Sequence, residues 1–457
     1  MSGGVEQKLF GTDGIRGIAG EYPLDKRTIQ IIGRAIVSNL ARDLRRTPSV
    51  VIGRDTRESG PGIESALAAG AIAAGASVKS AGVITTPGVA YLTRAVPFDA
   101  GIVISASHNP YQDNGIKVFS QSGKKLADEM ERRIEAEIIS AHTDVNPDPG
   151  NLRAAETLEQ ASYQAKYLDY LAGDVARGLK LNGLRIVLDC ANGSASSIAP
   201  ILFDRLGAEV EALAAHPDGR NINEGCGSLH LEGLQRIIPQ EGFDLGIAFD
   251  GDADRALFVD SRGNLVDGDV TLMILADYLR SKRKLEGDIV VATVMSNIGL
   301  EIALRERGIE LVRTQVGDRY VLDELLARGA KLGGEQSGHI IFPDISLAGD
   351  GMITAVELLR VMKESGLALE QLASKMTRYP QLLLNVRVLR KPPLDTLATV
   401  KAEMERVEKE LEGQGRLLVR YSGTENLARV MIEGQDHSRI TEQANDVAEA
   451  LRNEIGE

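Results

Sequence analysis

One pattern of apolar and polar positions appears three times along the chain. Residues 49–52 are mostly β-branched and apolar, and they lead through a turn to an alanine-rich stretch over 62–74, then to Gly75-Ala76-Ser77-Val78. Residues 185–188 lead through Asp189-Cys190-Ala191-Asn192-Gly193 to a helical stretch over 198–206, then to Gly207-Ala208-Glu209-Val210. Residues 289–292 lead through Ser296-Asn297 to a helical stretch ending at Arg307, then to Gly308-Ile309-Glu310-Leu311. Strand, small-residue turn, helix, glycine stop and strand together predict a βαβ unit with parallel pairing. Its repetition in separate segments predicts three α/β domains of related design rather than one large doubly wound sheet. Polar stretches bearing Pro or Gly, over 144–150 and 260–269, read as the linkers between them.

After about Leu369 the pattern changes. Strands are expected over 383–388, 416–421 and 428–433, a charged amphipathic helix over 394–411, and a closing helix over 437–451. This is a small α+β module whose loop, Ser422-Gly423-Thr424-Glu425-Asn426, joins two strands. The domains expected are therefore 1–150, 151–257, 258–369 and 370–457.

The composition fits this division. A chain of 457 residues holds about three domains at ~150 residues each. A net charge of −13 leaves no dominant basic patch, which argues against nucleic acid but not against a small phosphorylated substrate. Two cysteines, Cys190 and Cys226, make no disulfide framework and suit a reducing cytosol. The first fourteen residues have no apolar stretch of the signal-peptide kind. The uncharged run 65–78 is shorter than the ~20 residues a spanning helix needs, so no membrane is expected and the cytoplasm is the expected compartment.

Candidate chemistry concentrates in a few motifs. The apolar runs 101–104 and 116–119 bracket the turn-forming loop Ser105-Ala106-Ser107-His108-Asn109-Pro110, where a rigid strand meets an open loop suited to a nucleophile. Asp250-Gly251-Asp252-Ala253-Asp254-Arg255 follows a strand-like run, and alternate carboxylates repel one another unless a cation sits among them. Hard oxygen ligands select Mg²⁺ or Ca²⁺, and Mg²⁺ is the usual partner of phosphate chemistry. An EF-hand loop starting at Asp250 wants Gly and Glu where Arg255 and Ser261 stand, and an aspartyl-phosphate phosphatase wants Thr or Val where Asp254 stands. Phe10-Gly11-Thr12-Asp13-Gly14-Ile15-Arg16-Gly17 ends on an arginine, which with Lys117 offers two cations to a transferring phosphoryl group. Gly334-Glu335-Gln336-Ser337-Gly338-His339 carries polar groups suited to sugar hydroxyls, and Arg420-Tyr421-Ser422-Gly423-Thr424 combines a guanidinium and hydroxyls suited to a phosphate dianion.

Taken together, these motifs resemble the α-D-phosphohexomutases over about residues 10–434. The resemblance implies three related α/β mixed-sheet domains plus a smaller C-terminal α+β domain around a central cleft. It implies that Ser107, not Ser105, carries the phosphoryl group, with Arg16, Lys117 and His108 beside it. It implies Mg²⁺ held by Asp250, Asp252, Asp254 and an oxygen on Ser107. Asp318, Arg319, Glu335, Ser337 and His339 would bind the sugar, and Arg420, Ser422, Gly423, Thr424 and Arg429 its phosphate. Tyr421, Asn426 and Ala348 depart from the family pattern, where Pro, Pro and Thr are usual.

The combined motifs fit the amino-sugar branch of the family better than the phosphomannomutase/phosphoglucomutase branch. That branch converts glucosamine 6-phosphate to glucosamine 1-phosphate through a bisphosphate and feeds peptidoglycan precursor synthesis. The partner expected is a phosphorylated amino sugar; oligomeric state is open, with a homodimer among the options. Two readings of other classes also stand at this point: a metal-dependent sugar phosphatase, in which water takes the phosphoryl group, and a non-catalytic sugar-phosphate sensor.

Overall fold

The computed structural model describes residues 9–11, 13–141, 156–411, 413–422 and 426–456. The expected linker at 144–150 and the expected phosphate ligands Gly423 and Thr424 lie outside the described residues. The chain forms two compact units, residues 1–294 with 312–373 and residues 295–311 with 374–457.

The larger unit begins with β1 (Phe10–Gly11), β2 (Gly14–Ile18), α1 (Lys26–Leu44), β3 (Ser49–Arg54), α2 (Gly60–Ala73), β4 (Ser77–Val83), α3 (Thr86–Ala95), β5 (Ala100–Ile104), β6 (Asp113–Ser120) and α4 (Asp128–Ser140). Its sheet runs β1-β2-β6-β5-β3-β4, with β3 parallel to β4 and β5, and β6 antiparallel to β5 and β2. Val50, Ile52, Ile102, Ile104 and Ile116 are fully buried, the continuous apolar runs of strands covered on both faces. Pairing of β2 with β6 sets Arg16 opposite Gly115, two residues from Lys117, so register alone brings these two cations to one end of the sheet.

A second sheet follows α5 (Glu156–Tyr170): β7 (Arg185–Asp189), α6 (Ala199–Arg205), β8 (Glu209–Leu213), α7 (Glu232–Glu241), β9 (Leu245–Phe249), β10 (Ala256–Asp260) and β11 (Leu265–Val266), in the order β11-β10-β9-β7-β8. The stretch 260–269, expected as a linker, is fully structured. It is the turn of the β10–β11 hairpin, then β11, then the start of α8 (Gly268–Ser281). Asp260 accepts from the Arg262 and Asn264 backbone amides, so its polar residues close a tight turn. The expected boundary at 257 therefore cuts β10.

The third sheet, β13-β12-β14-β15, contains β12 (Ile289–Thr293), β13 (Glu310–Thr314), β14 (Gly333–Gly334) and β15 (Ile340–Ile341). Its crossover helix α9 (Ile298–Glu306) groups instead with the C-terminal unit. At the N-terminus of α9 the fully buried Glu433 carboxylate accepts from the Ile298 amide and the Asn297 side chain, and Asn297 also exchanges hydrogen bonds with the Tyr379 backbone. The larger unit closes with α10 (Asp318–Arg328), α11 (Gly351–Ser365) and α12 (Leu369–Ala373).

The smaller unit adds β16 (Gln381–Arg387), α13 (Ala398–Leu411), β17 (Arg416–Tyr421), β18 (Leu427–Glu433) and α14 (His437–Ile455). Its antiparallel sheet runs β16-β18-β17. The helix expected from 394 begins instead with a separate turn, Leu394–Thr396, before α13. Mixed α/β sheets with a small C-terminal α+β module thus match the expected fold class. Among the described residues no helix is long and apolar enough to cross a membrane.

Helices α1 and α2 pack at unusually close range. A Cβ on Gly33 would lie 2.2 Å from the Leu67 carbonyl, and one on Gly70 would lie 1.9 Å from that of Gln30. Alanine is favoured over glycine within a helix by about 1 kcal/mol. Overpacking against backbone costs about 1–3 kcal/mol, and so short a contact belongs at the upper end. Gly70→Ala should therefore lower stability by about 2 kcal/mol net. Denaturant melts would show it, and a melting point at or above that of the parent would contradict the packing argument.

Candidate active site

The loop leaving β5 turns on Ser107, a non-glycine residue at φ 52°. Its Oγ donates to Asp250 Oδ2 at 2.6 Å and lies 3.3 Å from His108 Nδ1. Ser105, the other serine of the motif, is used up. Its buried Oγ donates to Asp55 at 2.7 Å and accepts from the Ser107 amide at 2.9 Å. Burial, then the Arg255 and Arg16 guanidiniums, holds the His108 pKa down at about 4, so this imidazole is neutral at pH 7.

Asp250, Asp252 and Asp254 lie on the β9–β10 turn, where Ala253 at φ 56° and Gly251 let the backbone curl. A Cβ on Gly251 would lie 2.5 Å from the Ser107 carbonyl, so this glycine permits the two loops to meet. The three carboxylates are buried, with one oxygen of each within 4.8 Å of the others. Burial, then Asp254 and Asp252, pushes Asp250 well above the usual carboxylate range. Burial would raise Asp254 too, but Lys117, His339 and Arg255 pull it well below that range. Asp252 Oδ2 accepts from Thr86 Oγ1 at 2.6 Å and Lys117 Nζ at 2.9 Å. Asp252 Oδ1 and Asp254 Oδ1 are buried with no hydrogen-bond partner. Buried carboxylate oxygens with spare lone pairs, all of hard character, fit a divalent metal ion.

Lys117 is buried, and the carboxylates around it outweigh that burial and keep its ammonium charged. It belongs to a closed circuit of ionisable side chains. Lys117 Nζ lies 3.1 Å from Asp13, which lies 2.5 Å from Lys125 Nζ, which lies 2.7 Å from Asp318. Asp318 lies 3.9 Å from His339 Nε2, His339 Nδ1 lies 3.6 Å from Asp254, and Asp254 returns to Lys117 at 3.8 Å. Burial disfavours a charged His339, but Asp254, Asp318 and Glu335 raise its pKa nonetheless.

Two cavities meet at these residues. One, of about 500 Å³, is lined by Asp13, Arg16, Asp254, Arg255, Glu335 and His339 among others. The other, of about 520 Å³, shares Asp254, Asp318 and His339 and adds Lys117, Lys125 and an apolar wall containing Phe119 and Ile341. The structure thus brings together Ser107, His108, Arg16, Lys117, the three aspartates, Asp318, Glu335 and His339. Ser337 lies on the turn between Glu335 and His339 with its Oγ buried. Arg319 lines the second cavity and is held by Asp128, Glu131 and the Leu126 carbonyl, which brace α10 against α4. Sequence reasoning missed Thr86, Lys125 and Arg255. Arg255 could have been found, because it ends the aspartate motif.

In the smaller unit, Arg420 and Arg429 stand directly opposite each other on β17 and β18, which places two guanidiniums on one face. Ser422 is buried and its carbonyl accepts from Lys391 Nζ at 2.7 Å.

Comparison with known proteins agrees with this arrangement. Four family descriptions match successive segments: phosphoglucomutase/phosphomannomutase α/β/α domain I at 7–144, domain II at 165–263, domain III at 267–379 and the C-terminal domain at 383–450. The chain is 49% identical over 454 residues to the phosphoglucosamine mutase of Solibacter usitatus, covering 99% of this chain and 100% of that one. It is also 49% identical to the phosphoglucosamine mutase of Caldanaerobacter subterraneus subsp. tengcongensis, covering 98% and 99%. Among solved structures, a phosphoglucomutase/phosphomannomutase family protein from Burkholderia thailandensis matches with a TM-score of 0.79 at 26% identity, over 98% of this chain and 97% of that one. Aspergillus fumigatus N-acetylphosphoglucosamine mutase, in complex with GlcNAc-6P and magnesium, shares the fold with a TM-score of 0.66 at 18% identity, over 97% and 95%. With all four segments matched and relatives of 49% identity along almost the whole length, the chain belongs to the phosphoglucomutase/phosphomannomutase family of α-D-phosphohexomutases.

Proposed function

We propose that the protein is an isomerase that interconverts glucosamine 6-phosphate and glucosamine 1-phosphate through a phosphorylated Ser107 and a bisphosphorylated sugar. The observation that carries this reading is Ser107 Oγ, held 2.6 Å from Asp250 above three buried carboxylates. Relatives named phosphoglucosamine mutase, aligned over almost the whole chain, support the amino sugar as substrate. They do not favour a glucose or mannose mutase, a phosphatase or a sensor.

Serine is a weak nucleophile, so Ser107 serves best as a stored phosphate. In the first half-reaction the bond from phosphorus to the Ser107 oxygen breaks and one to a sugar hydroxyl forms. The proton lost by that hydroxyl ends on the serine oxygen. In the second, Ser107 takes the phosphoryl group from the other position of the bisphosphate, and the proton returns. Arg16 and Lys117 offset the charge spread over the transferring group. Glu335 and His339 face the cavity and are suited to orient ring hydroxyls. Arg420 and Arg429, with Ser422, are suited to a phosphate dianion. Asp250, Asp252 and Asp254 would hold Mg²⁺ together with an oxygen on Ser107. That ion would supply further charge neutralisation to phosphoryl transfer. A cytoplasmic location belongs to the same proposal.

Three results would test it. Ser107→Ala should lose turnover while its melting temperature stays close to that of wild type, and intact-mass analysis of wild type should find a phosphorylated fraction. Substantial activity in the alanine variant would remove Ser107 as carrier. Asp250→Asn should melt no lower than wild type in chelator, because it removes a charge the folded state disfavours. Millimolar Mg²⁺ should raise the wild-type melting temperature and restore turnover, and the variant should lose most of that rise. An equal Mg²⁺ response in both proteins would place the ion elsewhere. Finally, kcat/KM for glucosamine 6-phosphate should exceed that for glucose 6-phosphate at least about tenfold, or about 1.4 kcal/mol. Equal values would point to a hexose mutase instead.

A further inference from the structure

The largest side chain buried without measurable exposure is a guanidinium, and none of the steps above uses it. Arg57 lies in the loop between β3 and α2 and is fully buried. Its Nε donates to Asp55 Oδ2 at 2.9 Å. Three of its four remaining N–H groups are directed to backbone carbonyls of one loop. Nη2 reaches the Ser107 carbonyl at 3.0 Å and the Asn109 carbonyl at 2.9 Å, and Nη1 reaches the Pro110 carbonyl. From the opposite side, Asn223 Nδ2 donates to the same two carbonyls, Ser107 at 2.9 Å and Asn109 at 3.0 Å.

Burying a guanidinium is costly, and it is tolerated where its donors meet acceptors. An arginine needed only for packing could be replaced by an apolar side chain. Here the acceptors are the carbonyls that flank the turn of the candidate carrier, and that turn requires Ser107 in the left-handed region. Ser105 holds the Ser107 amide from beneath, and Asp55 holds both Ser105 and Arg57. The backbone on both sides of Ser107 is therefore fixed by side chains that do not face the cavities.

We propose that Arg57 and Asn223 are positioning residues that lock the Ser107 loop in its left-handed turn and so aim Oγ at the three-carboxylate cluster. This rests on the reading of Ser107 as the phosphoryl carrier. Misplacing a reacting atom by about 1 Å costs on the order of 10²-fold in rate, whereas a sugar phosphate bound by other side chains loses little affinity.

The test uses the full chain with Asn223→Ala, which removes the Asn223 donors and leaves those of Arg57, and with Arg57→Lys, which keeps the charge but not the fork. Phosphorylation of Ser107 by glucose 1,6-bisphosphate is followed by intact mass in single-turnover experiments. Affinity for glucosamine 6-phosphate is measured separately by calorimetry, and folding by thermal melts. The expected result is a transfer rate lowered at least about fivefold in Asn223→Ala and about tenfold or more in Arg57→Lys. Sugar-phosphate affinity should stay within about twofold of wild type in both. Transfer rates within twofold of wild type in both folded variants would overturn the assignment. So would a rate loss matched by an equal loss of affinity, the mark of general disruption. Wild-type protein that is not phosphorylated at Ser107 would instead overturn the carrier reading, and this inference with it.

Discussion

Three carboxylates packed within 4.8 Å of one another and removed from water cannot all ionise without compensation. Asp250, Asp252 and Asp254 meet that constraint by drawing cations from many parts of the chain. Lys117 comes from β6 and Arg255 from the residue just before β10, while the His339 ring approaches Asp254 from the turn before β15. Even so, Asp250 remains pushed toward its neutral form, and two carboxylate oxygens keep spare lone pairs. The compensation is partial, which is what a binding site for a divalent cation requires of the protein around it.

The remaining charges form a circuit rather than isolated pairs. Asp13 and Lys125 link the catalytic-side lysine to Asp318 on α10, and His339 closes the path back to Asp254. With Ser107 as the proposed carrier, a transferring phosphoryl group would bring negative charge into this circuit near Arg16 and Lys117. Fixed charges in a site shielded from water act strongly and need little reorganisation when the reaction charge develops. Arg319, braced on Asp128 and Glu131, holds the α10 end of the circuit in place.

Much of this site was legible in the sequence because its motifs are contiguous. The Asp250, Asp252 and Asp254 alternation declares a cation by repulsion alone, and the Ser107 loop lies between two apolar runs that can only be strands. The strands and crossovers of the first two sheets follow from hydrophobic period and glycine stops. What was not legible depends on contacts between distant residues. Thr86 and Lys125 look like an ordinary helix start and a surface lysine until the fold sets them against Asp252 and Asp318. The hold that Asp128 and Glu131 of α4 keep on Arg319 was likewise invisible in the sequence, because these acids lie almost two hundred residues away. The stretch 260–269, where the second and third matched segments meet, showed its polar, glycine-bearing composition but not the hairpin turn and strand it forms. Helix α9 joins the C-terminal unit through contacts with Glu433, Tyr379 and Lys375, distant residues that no local pattern announces.

The central claim is that the three aspartates and Ser107 form one metal-assisted phosphoryl site. The most direct measurement is an anomalous difference map from crystals of the phosphorylated protein grown with Mn²⁺ in place of Mg²⁺. The account predicts a single strong peak coordinated by Asp250, Asp252, Asp254 and a phosphate oxygen on Ser107. A peak elsewhere, or none among these residues while the metal supports turnover, would contradict it.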